Sequence, residues 1–351
     1  MDEVKIVNDR GAFWEMMEDM RDVPEVFCPT NLWKSLEPKT ISWLRNNDIN
    51  QFRNIDAELG AHFSVDPLSL PFSNRLIDEK ENRLIVKIES ILDRIGLALK
   101  IGVLSYPRTI KMLSGGLKLY AKTLQALSYY CVKLVDKGGV LDRIEDSGLG
   151  NPLDIFTVNG KRYTFGFLTK FSQYVYMKKF IDFENINSVL EIGPGFGTLA
   201  EVFTKAHPHL KICIVDIPPQ LYFSQQYLSA CFKNEVASYN LVKRQKRIDS
   251  KFFKDFRIIC LAPWQLPNIE NLQFELFCNT ISFQEMEPHV VENYAKHIDE
   301  LVTTWIYLMQ RPAGTTQTNI KGKVGVLKKL VSSITSNFFI GSNLLNVVLL
   351  R

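Results

Sequence analysis

From residue 188 onward, short, mainly apolar runs alternate with longer amphipathic ones. The runs at 188–192, 211–216, 256–260, 274–279 and 303–309 have no polar partner at every second position. They therefore read as strands covered on both faces, the pattern of a parallel sheet. Between them, 197–206, 219–232, 286–300 and 322–334 carry apolar residues at helical spacing. Strand–helix alternation predicts an α/β, Rossmann-like doubly wound sheet with ligands at the carboxyl ends of its strands. A last apolar run, 344–350, predicts one more strand, central or antiparallel.

The first 150 residues lack this rhythm. Phe13, Trp14, Met17 and Met20 have helical spacing, and 81–104 places Leu84, Ile85, Ile88, Ile91, Leu92 and Ile95 on one helical face. Pro107 breaks that helix and Gly115-Gly116 interrupts the next, which resumes with Leu117, Tyr120, Leu124, Leu127 and Cys131 on one side. Three parts are expected. Residues 1–147 form a mainly helical N-terminal domain. Residues 148–186 form a junction with a hairpin turned by Asn159-Gly160 and a capping helix over 166–180. Residues 187–351 form the sheet domain, in which the polar, basic stretch 233–254 reads as a loop or insertion.

The densest chemical signal is Val189-Leu190-Glu191-Ile192-Gly193-Pro194-Gly195-Phe196-Gly197. A buried strand enters a glycine turn and a helix follows. Glycines remove Cβ atoms where the backbone turns sharply and a ligand comes close. The amides and dipole at the helix start face whatever sits on the turn. The next strand ends in Asp216, the place of a carboxylate that holds two ribose hydroxyls. These features predict a nucleoside-containing cofactor. The dinucleotide fingerprint G-x-G-x-x-G is not met, since Thr198 stands where its third glycine would be, and no P-loop occurs.

Glu191, Gly193, Gly195 and Gly197, with Asp216 after the next strand, resemble motifs I and II of class I methyltransferases, which bind S-adenosylmethionine. The resemblance implies a class I methyltransferase sheet, with Glu191 ordering the loop or meeting the methionine amine through water and Asp216 taking the ribose. Ile217 follows Asp216 in the same motif. Three segments together resemble the sugar O-methyltransferase family of bacterial polysaccharide loci. They are Gly150-Asn151-Pro152 with the Asn159-Gly160 turn, the glycine motif with Asp216-Ile217-Pro218-Pro219 and Tyr227-Leu228-Ser229, and Asn279 with Ser282-Phe283-Gln284-Glu285-Met286 and Tyr294. This resemblance covers about 148–310. It implies methyl transfer from S-adenosylmethionine to a sugar hydroxyl, with a saccharide acceptor that is free, lipid-linked or nucleotide-linked. Pro194 and Phe196 stand where mostly glycine and tyrosine are expected in the family.

Methyl transfer is an in-line displacement dominated by positioning, and a sugar hydroxyl gains from a general base. His289 is the first candidate base and Glu285 the second, four residues apart and on one face if the helix has begun there. Their blander readings are a surface histidine in a first turn and a carboxylate at a helix N-terminus. Trp264 and Gln265, after the third strand, are expected at the adenine, where Trp264 stacks on the purine or packs under the loop. Asn279, at the end of the fourth strand, is expected beside the cofactor.

Composition adds limits. The six cysteines are scattered with no C-x-x-C pair, so neither a disulfide framework nor a structural zinc is expected, and no ligand cluster calls for a metal. His207 and His209 read as a surface turn. No apolar stretch is long enough to span a membrane, and the acidic start lacks a leader's apolar core, so a cytoplasmic protein is expected. Residues 1–93 hold 18 acids against 11 bases, whereas 94–135 hold seven bases and 301–351 six, neither with an acid. Such stretches suit a peripheral anionic surface or are simply solvated helix faces. No Asn-Pro-Pro-Tyr or Pro-Cys follows the fourth strand, which speaks against a nucleic-acid methyltransferase. Two other readings remain: methylation of another small molecule or lipid, and a methyltransferase fold retained as a binding subunit.

Overall fold

A computed structural model describes residues 4–54, 110–310 and 345–350. In chain order these form α1 (Arg10–Asp19), α2 (Asn31–Asn46), α3 (Ile110–Val135), β1 (Phe156–Val158), β2 (Lys161–Tyr163), α4 (Phe165–Met177), β3 (Ser188–Ile192), α5 (Thr198–Ala206), β4 (Lys211–Val215), α6 (Pro218–Phe232), β5 (Val236–Ala237), α7 (Tyr239–Lys243), α8 (Ser250–Asp255), β6 (Ile258–Leu261), β7 (Phe274–Thr280), α9 (Pro288–Leu301), β8 (Val302–Gln310) and β9 (Leu345–Leu350). By contact the chain parts into two units, Met1–Gln51 with Met177–Arg351, and Phe52–Tyr176. That division falls elsewhere than the boundaries at 147 and 186 read from the sequence.

The first unit holds a seven-stranded sheet in the order β5-β6-β4-β3-β7-β8-β9. All neighbours are parallel except the final pair, β8 and β9. The five expected strands are present, and the run at 344–350 forms the antiparallel one. Leu190, Ile192, Cys213, Val215, Ile259, Leu261 and Phe277 are buried on one face and Val189, Ile212, Ile214, Ile258, Cys260 and Leu276 on the other, which is why their runs carry no polar alternation. The stretch 233–254 is not a plain loop: it contributes β5, α7 and α8. Ser238 and Asp249 cap the two helices by accepting from Leu241 and from Lys251 and Phe252, so polar residues mark helix starts rather than disorder.

Helices α1 and α2 belong to this unit. Asp9 caps α1 by accepting from the Ala12 amide, and Phe13, Met16 and Met17 are buried. Phe13 meets Tyr222 of α6 edge-on at 5.3 Å, and the Tyr222 hydroxyl donates to Asn8 at 2.7 Å. The chain's beginning is thereby fastened to the helix that follows Asp216.

In the second unit α3 runs unbroken through Gly115-Gly116, where an interruption was expected. Flanking good helix formers outweigh the roughly 1 kcal/mol that each glycine costs. The Asn159-Gly160 turn forms as predicted, both residues at positive φ (51° and 79°), and joins β1 to β2. Arg53 donates both guanidinium ends to Asp146 at 2.9 Å, and Thr164 donates to the same carboxylate at 2.6 Å, all three being buried. Burial alone would raise the Asp146 carboxyl, but Arg53, Thr164 and the Gly148 amide together hold it at about 2.

The helices expected over 81–104 and 322–334, the Pro107 break and most of both basic stretches lie outside the described residues. Among the described residues no helix is long and apolar enough to cross a membrane.

Candidate active site

The glycine turn leaves the carboxyl end of β3 and opens α5. Gly193, Gly195 and Gly197 all have positive φ (73°, 62° and 93°), which a residue with a Cβ adopts only at a cost. Their surroundings differ. A Cβ on Gly193 would stand 2.1 Å from the Ser282 hydroxyl, and one on Gly197 would stand 2.8 Å from Leu228. These two glycines let the turn close against its own protein. A Cβ on Gly195 would meet no protein atom within 4 Å, so Gly195 is the position at which the turn borders open space. Of the three glycines, Gly195 is thus the one that leaves space beside the turn.

Asp216 follows β4, half-buried beside that opening. Its carboxylate accepts from the Ile217 amide at 2.9 Å and from the Gly195 amide. Burial pushes this carboxyl well above its usual range against those two donors, and the charges of Glu191 and Glu285 push the same way. Glu191 is fully buried in β3. Carboxylates from β3 and from the turn after β7 thus both act on Asp216 at the end of β4. A cation entering there is favoured.

The turn after β7 is set by a buried amide network. The Asn279 amide donates to the Ile192 carbonyl at 2.8 Å and to the Ser282 hydroxyl at 2.7 Å. Its carbonyl accepts from Phe283 at 3.2 Å and from Gln310 at 2.5 Å, and Gln310 accepts from the Gln284 amide at 3.1 Å. Asn279 is wholly buried, and its amide and carbonyl are engaged within the chain. Ile281 sits at φ 76°, a left-handed backbone that a β-branched residue avoids, with its N–H held by the Met309 carbonyl at 2.7 Å. Such a residue stores strain of order 1–3 kcal/mol and marks an over-determined turn.

Glu285 ends a short 3₁₀ turn, Ser282–Glu285, and is half-exposed. Its carbonyl accepts from the Thr30 hydroxyl at 3.0 Å, and the Glu287 carboxylate accepts from the Asn31 amide at 3.2 Å. The start of α2 therefore holds the turn. His289 is exposed in the first turn of α9. The two do not share a helical face as expected. Glu287 is extended, as a residue before proline prefers, and Pro288 starts the helix at its first position, so Glu285 lies outside it. Tyr294 of α9 is buried, stacks on Phe283 at 6.0 Å, and feels the Asp216 charge, which with burial raises its phenol.

After β6, Trp264 lies half-exposed in the turn Pro263–Asn268. It meets Tyr239 edge-on at 6.2 Å and donates to its hydroxyl, which donates in turn to Asp19 at 2.5 Å. Gln265 accepts from the Ala262 amide at 2.8 Å and so shapes the turn.

Residues 168–242, which contain β3, the glycine turn, α5, β4, Asp216 and α6, match the family model of the O-methyltransferase domain. The match takes in about a fifth of the chain. The mostly parallel sheet with flanking helices has the class I methyltransferase architecture. Among solved structures the chain is similar to StiE O-MT residues 942–1257, with 16% identity over 44% of this chain and 47% of that one and a TM-score of 0.31. It is also similar to the mitomycin 7-O-methyltransferase MmcR, with 13% identity over 46% and 43% and a TM-score of 0.29. Magnesium protoporphyrin IX methyltransferase (ChlM) from Synechocystis PCC 6803 with bound SAM gives 12%, 51%, 78% and 0.32. The chain spans less than half the length of the first two, and likenesses this slight carry no argument. No curated protein matches it.

Proposed function

We propose that the whole protein transfers a methyl group from S-adenosylmethionine to a sugar hydroxyl. The observation that carries the cofactor half is the open space beside Gly195, whose amide is bonded to Asp216. The residues fit the group: Gly195 leaves room where a side chain would block it, and Asp216 offers a carboxylate to a ribose. Glu191, Asp216 and Glu285 make the place favourable for a sulfonium and an ammonium. When bound, S-adenosylmethionine supplies an activated methyl group on a good leaving sulfur. Ile217 borders the adenosine side, and Trp264, with its N–H already engaged, presents a half-exposed ring for the purine. Gln265 shapes that loop, and Asn279 holds the β7 turn against Ile192 rather than offering a free polar atom.

Glu285 is the base this geometry favours over His289. Its charge is felt by Asp216, and its turn is fixed by Thr30 and by the Asn279 network, whereas His289 faces solvent. Glu285 takes the proton from the acceptor hydroxyl as the oxygen gains the methyl group. The sugar reading is supported by the Ser-Phe-Gln-Glu-Met block at 282–286 with Asn279 and Tyr294, where the resemblance to the sugar O-methyltransferases is most specific. The test is a methylation assay with S-adenosylmethionine and panels of saccharides, nucleotide sugars, phenols and lipids. Turnover confined to saccharide acceptors supports the proposal, and turnover confined to phenols or lipids overturns its acceptor half.

A further inference from the structure

We propose that Glu184, His207 and His209 form a binding site for one divalent transition metal ion of the zinc class, remote from the glycine turn. One ligand atom from each of the three side chains lies within 4.8 Å of the other two. All three precede the starts of β3 and β4, which run parallel, whereas Gly195 and Asp216 follow their ends. About 16 Å of five-residue strand separates the two places.

Two of the three ligands are already held. The His207 ring is buried and lies flat on Phe183, with centroids 5.2 Å apart and planes at 14°. Phe183 in turn packs on Phe203 at 5.5 Å. His207 Nδ1 stands 3.1 Å from Glu184 Oε1. His209 Nε2 stands 3.1 Å from both the Phe183 and Ile186 carbonyl oxygens. Carbonyls only accept, so Nε2 carries the ring hydrogen and Nδ1 is left with the lone pair a metal needs. A backbone carbonyl that fixes the tautomer of an imidazole is the support metal-bound histidines show. The His207–Glu184 pair and the two carbonyls on His209 Nε2 hold the three side chains in place and leave His209 Nδ1 as the nitrogen for a metal.

Two imidazoles and one carboxylate suit zinc-class ions and leave a fourth position for water. Magnesium and calcium take oxygen ligands instead. Glu184 is exposed, so it can swing to close the remaining distance. The bound ion would pin the turn at 183–186 to the one at 207–210, the lead-ins of two adjacent central strands, and so brace the sheet without touching the transfer site.

The test uses the metal-free full chain titrated with zinc by calorimetry, with magnesium as control and the visible bands of cobalt as a readout of ligand geometry. One zinc per chain is expected, with tetrahedral cobalt bands. His209→Ala and Glu184→Gln should each weaken zinc roughly tenfold or more, while both, being exposed substitutions, keep S-adenosylmethionine affinity as a check on folding. Absence of saturable zinc binding overturns the proposal. So does binding that keeps its full affinity in both variants, since that places the ion on other histidines or cysteines.

Discussion

Single atoms decide the site at the residue scale. Gly193→Ala would press a methyl into the Ser282 hydroxyl at a left-handed φ. It should cost about 1–3 kcal/mol from overpacking alone and abolish activity, read by thermal melting and turnover. Gly195→Ala meets no protein atom and bears only the cost of its left-handed φ, so it should lower the melt less than Gly193→Ala while weakening S-adenosylmethionine binding. Equal effects of the two on melting would show that the turn has no open side. Glu285→Gln should lower kcat about 10²–10⁴-fold with cofactor affinity kept, and His289→Ala should change little. The reverse order would restore His289 as base. Asp216 is held above its usual range by burial and by neighbouring acids, so protonation on lowering the pH removes the acceptor that a ribose needs. Cofactor affinity should therefore fall as pH falls, and flat affinity across the carboxylate range would contradict the ribose role. At this scale the glycine turn and its left-handed backbone were legible from the sequence because they are local. The separate duties of the three glycines were not, since Ser282 and Leu228 reach them only through the fold.

Elements show which local signals survive packing. Runs such as Val189-Leu190 and Ile212-Cys213-Ile214-Val215 gave the parallel strands, because double burial removes alternation directly from the sequence. Gly115-Gly116 misled, since two helix-weak residues cannot override a long helix around them. The polar stretch 233–254 misled for another reason: Ser238 and Asp249 are caps, and a cap is polar whether or not a helix follows. Pro288 was readable as a helix start, and taking it strictly would have left Glu285 outside α9. The β7 turn rests on long-range bonds from Asn279 to Ile192 and Gln310, which no spacing reveals. Asn279→Ala strands several buried partners and should cost about 1–3 kcal/mol. The turn that carries Glu285 should loosen with it, so kcat should fall further than cofactor affinity. Unchanged kcat would separate Asn279 from the positioning of Glu285.

The whole molecule carries features that no single element shows. Glu184 is 23 residues from His207 in sequence and meets it only when β3 and β4 lie side by side, so a His-Pro-His turn that read as surface gained a third ligand. The first 51 residues, read as part of a separate helical domain, group with the sheet, and Thr30 reaches the turn that carries Glu285 from there. In the other unit the buried Arg53–Asp146 pair links acid to stability. Asp146 is held at about 2, so the pair's contribution is complete above the unfolded carboxyl's value of about 3.9 and is lost as pH falls toward 2. Arg53→Met leaves an unpaired buried carboxylate and should cost about 3–5 kcal/mol near neutrality, with the deficit shrinking on acidification as Asp146 protonates. A deficit that stays constant down to pH about 2 would contradict the assignment. The central claim is that Gly195 and Asp216 frame an S-adenosylmethionine site. Calorimetric titration of the full chain with S-adenosylmethionine and S-adenosylhomocysteine, with NAD as control, tests it most directly. Saturable binding of the first two alone, lost in Asp216→Ala, is the result predicted; no binding of either, or equal binding of NAD, would contradict it.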